Sequence, residues 1–125
     1  MAAVAIVDDD VSIRRALANL LRAHGIDAQS YGSARDFLAA LPSGMPDCLI
    51  TDLNMPHMSG LELQRELMRL GAPIPTIVVT GCNDTSMRDQ CRVLGAVAYF
   101  VKPVDADALV AAITSQQRRT SNTLA

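Results

Sequence analysis

A parallel α/β domain, one sheet with helices on both faces, is what this sequence predicts. Short apolar runs alternate strictly with amphipathic stretches, five of each, along 125 residues. Four of those runs, the first, third, fourth and fifth, are nearly unbroken, as befits parallel strands covered on both sides. The length suits one ordinary domain with its own core, with no internal repeat and no room for a second domain.

Val4 to Val7 reads as the first, buried strand. Ile13, Leu17, Leu20 and Leu21 recur at helical spacing, and Gly25 supplies a stop. "DAQSY" (27–31) is a weaker, edge-like strand, and "SARDFLAAL" (33–41) a short helix ended by Pro42. "DCLITD" (47–52) is the third strand, followed by a stripe of Leu63, Leu67 and Leu70 that Gly71 closes. "PTIVVT" (75–80) is strongly β-branched and forms the fourth strand. Met87, Cys91 and Leu94 mark the next helix, ended by Gly95, and "VAYFV" (97–101) the fifth strand. Leu109, Val110 and Ile113 mark the last helix, which fades into "QQRRTSNTLA". The domain is expected over 1–117, with 118–125 a frayed tail or the start of a linker.

Composition excludes several classes of function. Half the residues are hydrophobic, but there are only two Phe, two Tyr and no Trp, so the core must be aliphatic. The net charge of −2 gives no basic field for direct nucleic-acid binding. No apolar run approaches the roughly 18 residues of a membrane span. The N-terminus "MAAVAIVDDD" has no basic stretch and is too short for a secretion signal. Cys48, Cys82 and Cys91 are odd in number and lack metal-type spacing, which fits reduced thiols in a cytoplasmic protein.

The polar residues at the ends of the strands carry the chemistry. Strand one ends in Asp8, Asp9 and Asp10, strand three in Asp52, strand four in Thr80, and strand five just before Lys102. In a doubly wound parallel sheet these carboxyl ends share one edge, where ligands bind. Carboxylates gathered in a partly dry pocket must protonate, pair or take a cation. Lys102 neutralises only one. An all-oxygen site open to water suits Mg²⁺, with Mn²⁺ the alternative the ligands do not distinguish. Such a site, with Lys102, attracts phosphate, and an Asp52 oxygen can act as the nucleophile to give an aspartyl phosphate.

The motifs "VDDD", "ITDLNMPHMSG", "VVTG" and "YFVKPV", in this order, resemble the receiver domains of two-component response regulators over essentially the whole chain. "MSGLELQ" and "FVKPVDADALVAAI" are similar to receivers of the FixJ type, which carry a C-terminal DNA-binding domain absent from this chain. The resemblance implies a flavodoxin-like (βα)5 fold with strand order 2-1-3-4-5, placing Asp8 and Asp9 beside Asp52. It implies that Asp52 accepts a phosphoryl group from a sensor histidine kinase. Asp8, Asp9, Asp52 and the backbone carbonyl of Asn54 would hold the divalent metal. Thr80 and Lys102 would contact the phosphoryl group, and Thr80 with Tyr99 would form the switch. The Lys102–Pro103 bond would be cis. Asn54 and Cys82 would tune hydrolysis. Phosphorylation would drive dimerisation through the fourth helix, fifth strand and fifth helix. The domain would then be no enzyme beyond its own phosphotransfer and dephosphorylation.

Other residues have plainer expected roles. Asp10 reads as the cap of the first helix, Gly60 as a turn residue needing positive φ, and His57 as an exposed loop residue. Gly81 leaves the mouth of the pocket open. A rival reading takes "DDDVS" as the start of a haloacid-dehalogenase-like phosphatase, with Asp8 the nucleophile and Asp10 the acid/base. A second takes the chain as a receiver-like interaction module that is never phosphorylated.

Overall fold

The structure, a computed structural model, describes residues 3–81 and 83–124, with side chains in the last helix described as far as residue 116. Strands β1 (Ala3–Val7), β2 (Asp27–Tyr31), β3 (Cys48–Thr51), β4 (Thr76–Thr80) and β5 (Ala96–Val101) form one sheet. Helices α1 (Val11–Ala23), α2 (Ala34–Ala40), α3 (Gly60–Arg69), α4 (Thr85–Val93) and α5 (Ala106–Leu124) connect and follow them, with a 3-10 turn at Leu41–Ser43. The sheet order is β2-β1-β3-β4-β5, every pair parallel. β1 therefore lies against β3, and the chain leaves these two neighbours in opposite directions, which opens a crevice at their carboxyl ends.

Side chains alternate along each strand and so build two core layers. Val4 and Ile6 of β1, Ile50 of β3 and Ile77 and Val79 of β4 pack with Leu17 and Leu21 of α1 and Leu109 and Ile113 of α5. On the other face Ala5, Val7 and Leu49 meet Phe37 of α2 and Leu63 and Leu67 of α3. Val78, Leu53, Leu61 and Cys91 of α4 make a smaller cluster on that same side.

Local chemistry sets the helix starts that matter for the site. The Asp10 carboxylate accepts from the backbone N–H groups of Ser12 and Ile13 and caps α1. Ser59 and Glu62 form a reciprocal capping box at the start of α3. Asp84 caps α4 through the Met87 N–H. α1 ends at Ala23 with His24 as its C-cap, and Gly25, whose φ of +71° suits glycine, closes the turn that follows.

Three expectations need correction. β5 is less covered than the other apolar strands: Ala98 and Phe100 pack on one core and Ala96 and Tyr99 on the other, but as the sheet edge its residues are only half-buried and Val97 is exposed. Leu70 is not in the core, because it is the C-cap of α3 and half exposed. Gly60 does not adopt positive φ, the one such residue in its loop being His57 at +71°. A Cβ on Gly60 would stand 2.2 Å from the carbonyl oxygen of Asp52, so glycine is required there for close approach. The boundary expected after residue 117 falls within α5. No described helix is long and apolar enough to cross a membrane.

Candidate functional site

Asp8 follows β1 and Asp52 follows β3, and the pairing of those strands brings the two side by side. Carboxylate oxygens of Asp8, Asp9 and Asp52 all lie within 4.8 Å of one another. Asp8 and Asp52 are buried and Asp9 is exposed, so the cluster is sunk at its base and open to water at its mouth. Unit charges about 4 Å apart near a protein surface repel by about 4 kcal/mol. Three acids therefore need more positive charge than one lysine supplies.

Asp8 is fixed through every polar atom it has. Its N–H donates to the Tyr31 carbonyl at 3.2 Å, and its own carbonyl accepts from Arg14 Nη1 at 2.7 Å. Its Oδ1 accepts from the Asp10 N–H at 2.9 Å, and its Oδ2 lies 3.4 Å from Lys102 Nζ. Asp52 is held in similar fashion. Its N–H donates to the Val7 carbonyl, its Oδ1 accepts from the Asn54 N–H at 3.3 Å, and its Oδ2 lies 3.3 Å from Lys102 Nζ. Lys102 thus bridges the two buried acids.

The protonation of this group follows from burial and charge. Desolvation pushes the Asp8 carboxyl up, and the Asp10 N–H and the Lys102 charge only partly offset it. Burial by itself would lower Lys102, but Asp52 and Asp8 outweigh it and hold the ammonium above its ordinary value. Lys102 is a fixed cation across the physiological range, and Asp8 carries its charge under strain.

The remaining expected site residues are placed as follows. Thr80 is fully buried at the end of β4, and its carbonyl accepts the Lys102 N–H at 2.7 Å. The Lys102–Pro103 peptide bond is cis. Tyr99 stands opposite Val78 in the β4–β5 pair, packed against the small cluster, with the Arg88 guanidinium 5.1 Å from its ring centre. Asn54 is exposed at the rim. Gly81 is exposed, with nothing within 4 Å of where a Cβ would stand. Cys82 lies outside the described residues. His57 is exposed, as its loop position suggests. Asp10 serves α1 and is not one of the three clustered acids, which removes the acid/base partner that the phosphatase reading requires.

Arg14 is a site neighbour that sequence pattern does not single out. It sits among several exposed charges in "DDDVSIRR", and only the fold shows that it reaches the Asp8 carbonyl.

The family model for the response regulator receiver domain matches residues 4–114. The chain belongs to that family. The receiver is 39% identical over 122 residues to nodulation protein W of Bradyrhizobium diazoefficiens, covering 94% of this chain and 54% of that protein. It is 41% identical over 110 residues to transcriptional regulatory protein FixJ of Rhizobium meliloti, covering 88% of this chain and 54% of that protein. The crystal structure of FixJ-N superposes with a TM-score of 0.87 at 38% identity, covering 94% of each chain. The receiver spans about half the length of the curated relatives it matches. It is a signalling domain of the two-component type, and transcriptional regulators are among its relatives.

The acidic cluster fits the hard divalent cation that such domains generally bind. All its donors are oxygens, two carboxylates are fixed by backbone hydrogen bonds, and one side faces water. That is the donor set Mg²⁺ prefers.

Proposed function

We propose that this receiver takes a phosphoryl group from a sensor histidine kinase onto Asp52. The observation that carries the reading is the convergence of Asp52, Asp8 and Asp9 with the Lys102 ammonium at one sheet edge. An Asp52 carboxylate oxygen attacks phosphorus as the P–N bond to the kinase histidine breaks. The electron pair leaves on the imidazole nitrogen, and a P–O bond to Asp52 takes its place. Asp8, Asp9, Asp52 and the Asn54 carbonyl would hold Mg²⁺ or Mn²⁺, which when bound neutralises charge on the phosphoryl oxygens. Lys102 moves from bridging two carboxylates to pairing with a phosphoryl oxygen, and the Thr80 hydroxyl donates to another. Asn54 at the rim and Cys82 set how water reaches the acyl phosphate, and so how fast it hydrolyses.

Output follows from the movement of Thr80. As Thr80 turns toward the phosphoryl group, it vacates space at the end of β4, on the face it shares with Val78. Tyr99 rotates into that space and reshapes the α4–β5–α5 surface, through which two receivers associate. The curated relatives are about twice this length and one is a transcriptional regulatory protein, which supports a longer transcriptional regulator, cytoplasmic as response regulators typically are. In it, residues 1–117 form the receiver and 118–125 begin a connection to a DNA-binding output domain.

Incubation with acetyl phosphate and Mg²⁺, read by intact mass, tests the first step. The expected result is the gain of one acid-labile phosphoryl group, absent in Asp52→Asn. No gain in the parent makes the chain an unphosphorylated interaction module, and a gain retained in Asp52→Asn removes Asp52 as acceptor. Thr80→Ala should still be phosphorylated but should not associate in sedimentation runs. Full association of that variant would break the proposed coupling.

A further inference from the structure

We infer that Arg14 and Gly32 form a paired positioning device that holds Asp8 in its metal-binding orientation, an inference that rests on the metal-site reading above. Arg14 Nη1 donates to the Asp8 carbonyl at 2.7 Å, from a helix that starts three residues after Asp8. The carbonyl is otherwise at the end of a strand, where the ladder to β2 and β3 stops. Without Arg14 that carbonyl loses its 2.7 Å hydrogen bond, and the orientation of the Asp8 side chain rests on the Asp10 N–H and Lys102. With that anchor gone, the Asp8 carboxylate is held less firmly in line with Asp52 and Lys102.

Gly32 explains how the guanidinium reaches its place. It follows β2, whose Tyr31 carbonyl accepts the Asp8 N–H. A Cβ on Gly32 would meet Arg14 Nη1 at 3.3 Å and Cζ at 3.6 Å. Its φ lies outside the left-handed region, so the backbone does not call for glycine there. The space it leaves is filled by the guanidinium. The end of β2 therefore carries both a hydrogen-bond acceptor for the N–H of Asp8 and a seat for the side chain that binds its carbonyl.

Charge and position predict opposite signs, which makes the inference testable. If Arg14 were only a nearby positive charge, its removal would strengthen binding of a divalent cation. If it positions a ligand residue, its removal weakens binding, and groups that orient metal ligands typically contribute about tenfold or more. The experiment is calorimetric titration of Mg²⁺ into the full chain without phosphodonor, for the parent, Arg14→Met, Gly32→Ala and the double variant, each with its metal-free thermal midpoint.

Arg14→Met is expected to weaken Mg²⁺ about tenfold, and Gly32→Ala to weaken it by a smaller factor. Gly32→Ala should then add nothing in the Arg14→Met background, because it acts through Arg14. Unchanged or tighter binding in Arg14→Met, or full additivity in the double variant, overturns the inference. If Arg14→Met does not fold, Arg14→Lys replaces it as the variant keeping the charge without the fork, again with weakened binding expected and parental affinity overturning the idea. Failure of the parent to bind Mg²⁺ at all, or parental affinity in an Asp8→Asn control, counts instead against the metal-site reading.

Discussion

At the scale of single residues, Asp8 is the most informative. Its folded carboxyl is held above its ordinary value, chiefly by burial. An acid of this kind is easier to bury protonated, so its contribution to stability is greatest at low pH. That contribution declines as pH rises from the unfolded value through the folded one, where the native state gives up its proton under strain. In the absence of divalent metal, Asp8→Asn should therefore raise the thermal midpoint at pH 7, and the gain should vanish toward pH 3. With Mg²⁺ present the order should reverse, because the parent alone has the full ligand set. Scanning fluorimetry of both proteins with and without chelator checks this, and a variant less stable than the parent in chelator at pH 7 would show that the lost Lys102 pairing outweighs burial. The acids at the strand ends were legible in the sequence because a fold has no use for so much like charge at one edge. Gly60 was noticed for the wrong reason. Sequence shows that a glycine is present, but only the fold shows that the carbonyl of Asp52 occupies the space of its Cβ.

At the scale of elements, periodicity worked where both ends of a contact obey it. The strand runs and the helix stripes of α1 and α3 could be read because a core face repeats every two or 3.6 residues. At β5 it found the strand but not its partial exposure, since "VAYFV" looks the same in a central strand as in an edge one, and depth of burial depends on sheet order. Gln64 was also missed. It lies within the apolar stripe of α3, is 2% exposed, and donates from Nε2 to the Cys91 carbonyl of α4 at 3.1 Å. Its Oε1 is buried without a hydrogen-bond partner. An unsatisfied buried acceptor costs about 1–3 kcal/mol, whereas one neutral hydrogen bond contributes about 1 kcal/mol. The Cys91 carbonyl also accepts the Leu94 N–H, so it is not orphaned when Gln64 goes. Gln64→Leu, close in size, should therefore stabilise the fold by up to about 1 kcal/mol in urea unfolding. A loss of similar size would mean that the Gln64 amide finds a partner for Oε1 in solution, such as a buried water.

At the scale of the whole molecule, the two buried thiols report on how the layers hold together. Cys48 sits in the core between the sheet and helices α1 and α5, and burial pushes its thiol up to about 12. Cys91 is as fully buried, but in the small cluster under α4, and it is the one buried residue of that helix. α4 also packs on β5, the exposed edge of the sheet. Regions with few buried contacts open below the global unfolding free energy. Alkylation of a Cys82→Ser variant should therefore modify Cys91 faster than Cys48, with Cys48 following global unfolding as urea is added. Between pH 9 and 12 the unfolded Cys48 ionises while the folded one does not, so stability should fall by about 1.4 kcal/mol per unit from this thiol alone. Equal labelling rates at all urea concentrations would make the domain a single cooperative unit and leave α4 no freedom of its own. Faster labelling of Cys91 would place the low-stability region on the side of the sheet that carries Tyr99. On the proposed reading, a phosphoryl group on Asp52 would then shift that face with little free energy, while the layer holding Cys48 stays closed.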